Sequence, residues 1–275
     1  MTCVKTVIVT NGNILTLLGL GEFLRTHHAC VNAVFVTTRL PSQKSNVGGV
    51  IDMWRKSGWR YTHFKLLTNL LLPRNMRRRG LPGSVVEYLE RLGAKPEVHY
   101  APNINQPDMV ARVREIRPDI LLSASATTRF VDAVTESATR VAINAHYALL
   151  PGYAGLSPYF WYVRNREAEC GVTLHQIIAR LDAGPVIEQS RFPTASFRTV
   201  FGVLLEQLSR VSPMLLRFYA GQTHERDATP QDLSKRSYFR HPTRDDVRAM
   251  YANGHRFYER ADLQRVERTL RELVR

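Results

Sequence analysis

The amino-acid sequence predicts a doubly wound, mostly parallel α/β sheet. Short runs of apolar, β-branched residues recur through the first half of the chain, and helix-like segments separate them. These runs are continuous rather than alternating, which is typical of strands that are buried on both faces. Alternation of strands with helices indicates βαβ units. Because ligands of such sheets bind beyond the carboxyl ends of the strands, we expect the functional residues there.

Each element of the first half follows from its local pattern. The β-branched runs predict strands at residues 6–10, 33–37, 120–123 and 141–144. Apolar residues at helical spacing predict helices at residues 15–26, 84–92, 107–116 and 130–137. Residues 52–80 are too many for a simple βα connection, and their leucines and aromatic residues predict an inserted helical element.

The pattern changes after residue 171. Two strand-like runs, 172–178 and 186–192, precede a long helix at 199–219, and the tail ends in another helix. The broad apolar face of the long helix is expected to pack on the preceding domain, with a kink at Pro213. We therefore predict a catalytic domain over residues 1–192 and a small C-terminal helical or irregular appendage over residues 193–275, packed on it.

Composition places the chain among ordinary globular proteins with a strong positive charge. Of its 275 residues, 44% are hydrophobic and 23% are charged, which argues against intrinsic disorder. The chain has 38 Lys and Arg against 24 Asp and Glu, so the formal net charge is +14, which favours anionic partners. Four arginines cluster in a loop-like stretch, where they either bind an anion or keep the loop soluble; they are Arg74, Arg77, Arg78 and Arg79.

The cysteines indicate neither a disulfide scaffold nor a zinc site. Cys3, Cys30 and Cys170 lie far apart in the sequence, and none belongs to a CxxC pair. No apolar run approaches the ~20 residues that a membrane span requires. The first ten residues read as a strand and lack the pattern of a signal peptide. We therefore expect a cytoplasmic protein that binds no metal and no membrane.

The candidate site is carried by an amide, an imidazole and a carboxylate. The chain has no GxxxxGK[ST] phosphate loop, no HExxH motif and no GxSxG elbow. Asn144 and His146 lie two positions apart at the end of a predicted strand and so share one face. Asp182 precedes a Gly-Pro turn that exposes its carboxylate. Together these groups supply an oxyanion donor, a proton shuttle and a group that orients the shuttle, as acyl transfer requires.

Each of these residues also has a plainer interpretation. An isolated Asn-x-His is more often the end of a strand, and an Asp before Gly-Pro is usually a turn former. The whole pattern over residues 144–189 favours the functional interpretation over the structural one. Its order, Asn-x-His-x-x-Leu-Leu-Pro-x-Tyr-x-Gly-x-x-Pro, Gly-Val-Thr-x-His and Asp-x-Gly-Pro-x-x-x-Gln, resembles the 10-formyltetrahydrofolate-dependent formyltransferase family. That family includes enzymes that formylate glycinamide ribonucleotide, methionyl-tRNA and amino sugars.

The resemblance implies a Rossmann-like catalytic domain, 10-formyltetrahydrofolate as formyl donor and no metal. It implies that Asn144, His146 and Asp182 are the catalytic residues. It also places folate against the loop after residue 122 and the turn around Asp182. The residues implied to contact folate are Ser123, Ala124, Ser125, Arg129, Phe130, Leu181, Ala183 and Gly184.

Three further positions qualify the resemblance. His175 matches a recurring family position, but its place inside a predicted strand favours a packed or hydrogen-bonded core histidine over a catalytic one. Ala148 stands where the family often has Ser, and Ala154 stands where it often has Arg. Contacts near the acceptor are therefore expected to differ from those of other members.

Residues for the acceptor substrate are predicted from the first loop and the motif. Asn11, Gly12 and Asn13 partly resemble the loop with which the glycinamide ribonucleotide enzyme holds phosphate, and amides at a helix start suit an anion. A plain strand-to-helix turn explains the same residues. Tyr153 and Pro158 are further candidates. Residues 238–242 either add aromatic and cationic contacts to this ligand or simply pack.

The favoured activity is formyl transfer to the amine of a small anionic metabolite, with a nucleotide-linked amino sugar first. Amino acids and a hydroxyornithine siderophore precursor come second. Methionyl-tRNA is less favoured because residues 220–275 are few for the barrel domain that such enzymes carry. Hydrolysis of 10-formyltetrahydrofolate and a non-catalytic nucleic-acid-binding protein are the remaining alternatives, although no nucleic-acid-binding pattern is present. The oligomeric state is left open, with a homodimer as one alternative.

Overall fold

A seven-stranded sheet forms the centre of the molecule in the computed structural model, which describes residues 3–37 and 46–275. The strand order is β3-β2-β1-β4-β5-β7-β8; β7 runs antiparallel to its neighbours β5 and β8, and the other six strands are parallel to one another. The strands are β1 (Thr6–Thr10), β2 (Val31–Thr37), β3 (Glu97–Ala101), β4 (Ile120–Ala124), β5 (Val141–His146), β7 (Glu169–Gln176) and β8 (Val186–Pro193). Two short strands, β6 (Ala154–Gly155) and β9 (Tyr238–Phe239), pair separately. The predicted doubly wound sheet is confirmed.

Helices pack on both faces of the sheet. They are α1 (Ile14–His27), α2 (Asn46–Leu66), α3 (Leu72–Arg78), α4 (Val85–Arg91), α5 (Pro107–Ile116), α6 (Asp132–Thr135), α7 (Pro158–Asn165), α8 (Val200–Tyr219), α9 (Arg244–Ala252) and α10 (Arg260–Leu273). The predicted insertion at 52–80 is helical: α2 is broken at Gly58, and a π-helical turn, Leu67–Leu71, joins it to α3. The helix predicted at 130–137 is shorter than expected, since only α6 forms there.

One strand was not predicted, and one prediction about the elements was wrong. The edge strand β3 was missed because its residues are mostly exposed or half-buried and so lack a continuous apolar run. The arginine cluster does not lie in a loop, because most of it belongs to α3. There Arg77 pairs with Glu87 at 2.6 Å, and Arg79 pairs with Glu267. The repeated Arg residues are compatible with a helix, and intramolecular carboxylates neutralise two of them.

The sheet buries both faces, which explains the continuous apolar runs. Ile8 and Leu122 face the larger cluster, which includes α1 and α8. Val7 and Leu121, their neighbours in sequence, face a smaller cluster that includes α5. Successive side chains of a strand alternate between faces, so a strand covered on both sides needs apolar residues at every position.

The long helix α8 packs on α1, as its apolar face predicted. The Ser212 hydroxyl donates to the Gly19 carbonyl at 2.7 Å and accepts from the Phe23 amide at 3.1 Å. At Gly21 a Cβ atom would lie 2.4 Å from a Leu273 methyl carbon, so glycine permits the close approach of α10. The six apolar residues that form the predicted face of α8 are all buried; they are Val203, Leu204, Leu208, Val211, Leu215 and Phe218. The division into two domains at residue 192 stays a prediction.

The prediction of unpaired, distant cysteines was wrong for two of the three. Cys3 and Cys30 form a disulfide, with Cα atoms 5.4 Å apart. Each precedes a strand, and the neighbouring parallel strands β1 and β2 begin at the same edge of the sheet. Cys170 is free and buried. Within residues 3–37 and 46–275, no helix is long and apolar enough to cross a membrane.

Candidate active site

The carboxyl end of β5 brings two of the predicted catalytic residues together. Asn144 and His146 point to the same side of the strand, since they are two residues apart. The antiparallel neighbour β7 places His175 opposite Asn144 and Thr173 opposite His146. The motif residues on these two strands therefore meet across one ladder, although about thirty positions separate them in sequence.

Asp182 completes the predicted triad from a separate turn. Its carboxylate oxygen Oδ1 lies 3.7 Å from His146 Nδ1, an ion-pair distance rather than a hydrogen bond. Its other oxygen, Oδ2, accepts from the Gly155 amide at 2.9 Å. Both side chains are more than nine-tenths buried. Coulomb attraction between an imidazolium and a carboxylate strengthens in such a site, because little water screens it.

The remaining contact of His146 fixes the direction of its ring. Its Nε2 donates to the Tyr153 carbonyl at 3.2 Å, so Nδ1 is the nitrogen that faces Asp182. Tyr153 and Asp182 both have left-handed backbone conformations, with φ of 57° and 51°. Asp tolerates this conformation better than most residues. The two turns thus hold a carbonyl and a carboxylate on opposite sides of one imidazole.

His175 holds the amide of Asn144. Its Nδ1 donates to the Gln176 carbonyl at 2.7 Å, which leaves Nε2 to accept from the Asn144 amide nitrogen at 3.1 Å. Burial and the nearby His146 lower the pKa of His175 to about 4, so the ring is neutral at pH 7. One N–H of the Asn144 amide is thereby occupied, and the second is left for a ligand oxygen.

The loop after β5 is built on other motif residues. Thr173 donates its hydroxyl to the Ala148 carbonyl at 2.6 Å and accepts from the Leu150 amide at 3.1 Å. Gln189 donates to the Leu150 carbonyl at 2.7 Å. The bond between Leu150 and Pro151 is cis. Thr173 and Gln189 are motif positions without a predicted role, and their contacts show that they support the loop after β5, which we call the catalytic loop because it follows the predicted catalytic residues of that strand.

The C-terminal segment also holds the site, which sequence reasoning did not predict. Gln231 donates to the Gly184 carbonyl at 2.6 Å and to the Asp182 carbonyl at 3.3 Å. Arg236 donates to the Leu181 carbonyl at 3.1 Å. Ser237 accepts from the Tyr153 amide at 2.9 Å. Of these contacts, the sequence indicated only the pairing of β9 with β6, through the aromatic residues at 238–239.

The residues assigned to folate fall into two groups. Ser123 and Ala124 are buried within β4, and Phe130 packs in the smaller core cluster. Ser125 and Arg129 follow β4 at the carboxyl edge, where the Ser125 hydroxyl lies 2.9 Å from that of Tyr147. On the other turn, Leu181 is partly exposed while Ala183 and Gly184 are buried. A Cβ at Gly184 would lie 1.9 Å from the Gln176 carbonyl oxygen, so only glycine fits. The folate contacts stay a prediction.

The first loop is stabilised by its own side chains. The Asn11 side chain accepts from the Asn13 amide at 3.1 Å, and Asn13 caps α1 by accepting from the Thr16 amide at 3.0 Å. The amide of Gly12, whose φ is 68°, donates to the Thr10 hydroxyl at 2.9 Å. These contacts agree with the plain strand-to-helix turn, and phosphate binding here stays a prediction.

Tyr153 and Pro158, the other predicted acceptor contacts, lie in the loop and helix after β5. The Tyr153 ring is stacked between Tyr162 and Phe239, with centroids 4.1 and 4.8 Å away. Pro158 is buried at the start of α7. The Trp161 indole donates to the Arg240 carbonyl at 2.9 Å, so residues 238–242 pack on this region. Their contact with a ligand stays a prediction.

Two surface cavities lie elsewhere, along the outer side of α2. Their volumes are about 640 and 440 Å³, and Trp59 and Arg60 line both. None of the predicted site residues lines either cavity. Among the described residues, no group of three His, Cys, Asp or Glu side chains is arranged to hold a metal ion.

Half-buried Asn144 and buried His146 lie at the end of the parallel strand β5, and a separate turn brings the buried Asp182 to them. This arrangement is the one expected of a class of protein, the doubly wound α/β enzymes that catalyse acyl transfer. The family model described as formyl transferase matches residues 32–201. The chain belongs to the formyl transferase family. The family predicted from the motif at residues 144–189 is thereby confirmed.

Solved structures share the fold at low sequence identity. An N-formyltransferase from Helicobacter canadensis matches with a TM-score of 0.54 and 19% identity, over 86% of this chain and 70% of that one. A sugar N-formyltransferase from a Shewanella species matches with a TM-score of 0.53 and 12% identity, over 90% and 87%. Glycinamide ribonucleotide transformylase 1 from Symbiobacterium toebii matches with a TM-score of 0.51 and 16% identity, over 83% and 94%.

Proposed function

We propose that the protein transfers the formyl group of 10-formyltetrahydrofolate to the amine of a small anionic acceptor, with a nucleotide-linked amino sugar favoured. The observation that carries this proposal is the convergence of Asn144, His146 and Asp182 at the end of β5. Membership of the formyl transferase family supports the reaction. The Helicobacter canadensis structure is a complex with folinic acid and dTDP-3-aminofucose, which supports both substrate classes.

Asn144, His146 and Asp182 each have a separate role in the proposed formyl transfer. The acceptor amine attacks the formyl carbon, and the free N–H of Asn144 donates to the oxygen that becomes an oxyanion. Because Nε2 of His146 donates to the Tyr153 carbonyl, its Nδ1 takes the proton that the amine loses and delivers it to N10 of the folate as the bond between N10 and carbon breaks. Asp182 stabilises the imidazolium that forms in between. The products are a formamide and tetrahydrofolate, and no electrons are exchanged.

Water in place of the amine converts the same steps into hydrolysis. The triad alone does not discriminate between the two, because His146 accepts a proton from either nucleophile. Binding of an acceptor displaces water from the crevice and so favours transfer. Formate release in the presence and absence of acceptor therefore separates a transferase from a hydrolase.

A panel of amines tests the proposal. The purified protein is incubated with 10-formyltetrahydrofolate and, in turn, nucleotide-linked amino sugars, amino acids, hydroxyornithine and methionyl-tRNA. Mass spectrometry detects the formylated product, and absorbance detects tetrahydrofolate. We expect product on an amino sugar, its loss in His146→Ala, and its retention in His63→Ala, a histidine on the outer side of α2. Product on methionyl-tRNA alone would overturn the choice of acceptor, and formate without any formamide would overturn transfer.

A further inference from the structure

Lys65 is a cation that the triad chemistry does not use. It lies near the end of α2, and its side chain is partly buried. The ammonium nitrogen donates to the Tyr159 hydroxyl at 2.7 Å. It lies 5.4 Å from the centre of the Tyr159 ring and 5.6 Å from that of Tyr61. Among the described residues, no carboxylate forms an ion pair with it.

The groups around Lys65 are neutral. The Tyr61 hydroxyl is within hydrogen-bond distance, 2.9 Å, of both the Ser157 hydroxyl and Nδ1 of His241. Burial and the charge of Lys65 lower the pKa of His241 to about 4, so this histidine carries no charge at pH 7. Binding of an anion stabilises a cation that has only neutral hydroxyls and rings around it, because burying a charge without a counter-charge costs free energy.

The position of Lys65 connects it to two loops at the carboxyl edge of the sheet. One turn further along, Asn69 accepts from the Asn13 side chain at 2.9 Å, which ties this part of the helix to the loop after β1. Tyr159 and Ser157 belong to the segment that follows Gly155, whose amide binds Asp182. Lys65 thus stands between the loop after β1 and the catalytic loop, at the edge of the sheet where ligands bind.

We infer that Lys65 binds the anionic group of the acceptor, a phosphate or a carboxylate. The inference rests on the proposed function and assigns one residue of the helical insertion to substrate binding. An ammonium is a compact point charge with several donors, and Tyr159 occupies only one of them. The phosphate class is favoured because two negative charges offset the surrounding desolvation better than one.

Kinetics of Lys65→Met test this assignment, since methionine keeps the length of the side chain and removes its charge. We expect the acceptor KM to rise about 10- to 100-fold, the size of one charged hydrogen bond, while the KM of the folate donor and kcat change less than about threefold. Lys65→Arg is expected to restore most of the affinity. Lys95→Met, an exposed lysine, removes the same net charge and is expected to change neither KM.

A binding measurement separates this inference from the proposed reaction. Calorimetric titration with inorganic pyrophosphate, inorganic phosphate and acetate is expected to show that pyrophosphate binds most tightly and that Lys65→Met loses this binding. Acetate binding tighter than pyrophosphate would assign a carboxylate instead. If Lys65→Met loses pyrophosphate binding while the unaltered protein transfers no formyl group, the proposed reaction is overturned and the anion site at Lys65 is supported. Transfer with an unchanged acceptor KM, or a rise in the folate KM alone, overturns the role of Lys65.

Discussion

The triad and the surroundings of Lys65 both border loops at the carboxyl edge of the sheet, and their charges are balanced in different ways. His146 has the Asp182 carboxylate 3.7 Å away and the Tyr153 carbonyl 3.2 Å away. Lys65 has only neutral partners, the closest being the Tyr159 hydroxyl. A charge on His146 is balanced by a carboxylate of the chain itself, whereas the charge on Lys65 is balanced only when an anion binds.

This difference agrees with the function that we propose for each region. A catalytic group must keep its geometry in every turnover, so its partners belong to the protein. A substrate-binding cation gains selectivity if its counter-charge arrives with the ligand. Variants at the triad should therefore change kcat, whereas variants near Lys65 should change the acceptor KM.

The largest effect is expected from the triad itself. His146→Ala and Asp182→Asn should each lower kcat by about 10²- to 10³-fold or more, because one removes the proton shuttle and the other the charge that stabilises it. The double variant should be little worse than the worse single variant, since the two residues act as one unit. Steady-state kinetics with a folding check by circular dichroism measure this. Effects that multiply fully would show that the two residues act independently.

The next effect concerns pH and the buried histidines. His175 has a folded pKa of about 4 against the ordinary 6.5, so the unfolded state binds more protons between these values. Stability is therefore complete above pH 6.5 and falls as the pH decreases towards 4. At pH 5 the loss from this residue is about 2 kcal/mol. Urea unfolding at pH 7.5 and pH 5 measures it.

The variant His175→Gln sharpens the same prediction. This variant removes the contribution of His175 to the pH dependence of the unfolding free energy. The contribution of His241, whose folded pKa is also about 4, remains. We expect the difference in unfolding free energy between pH 7.5 and pH 5 to shrink by about 2 kcal/mol. An unchanged difference would mean that His175 is already charged in the folded protein.

A smaller effect is expected from the C-terminal segment. Gln231→Ala removes two hydrogen bonds to the carbonyls of Asp182 and Gly184, so the turn that carries the carboxylate loosens. We expect kcat to fall about 5- to 10-fold, equivalent to roughly 1 kcal/mol. Lys235→Ala, a neighbouring variant whose ion pair is with Asp232, should leave kcat unchanged. Equal effects of both variants would contradict a specific role for Gln231.

The smallest effect is expected at the arginine cluster. Arg77 already pairs with Glu87 at 2.6 Å on the surface, unlike Lys65, which has no carboxylate partner among the described residues. Arg77→Ala should cost at most about 1 kcal/mol of stability, because water screens exposed ion pairs. Its acceptor KM should equal that of the unaltered protein. A KM increase comparable to that of Lys65→Met would assign the cluster to the acceptor after all.

The sequence by itself determined the sheet and the family. The strands and helices could be predicted because burial of a strand on both faces, or of one face of a helix, leaves a local pattern of apolar residues in the sequence. The motif at residues 144–189 was readable for a similar reason, since its residues lie close together in sequence. Asn144 and His146 sit on one strand, and their alternation alone puts them on one side. The strand β3 was not readable, because an edge strand needs no apolar run.

Only the tertiary structure decided the contacts between distant segments. The hydrogen bond between Asn144 and His175 depends on the register of β5 against β7. Gln231 reaches the Asp182 turn from about fifty positions away in the sequence. Cys3 meets Cys30 because two parallel strands begin side by side. Local sequence patterns report the burial of one element, whereas these contacts depend on how several elements pack, and that information is not local.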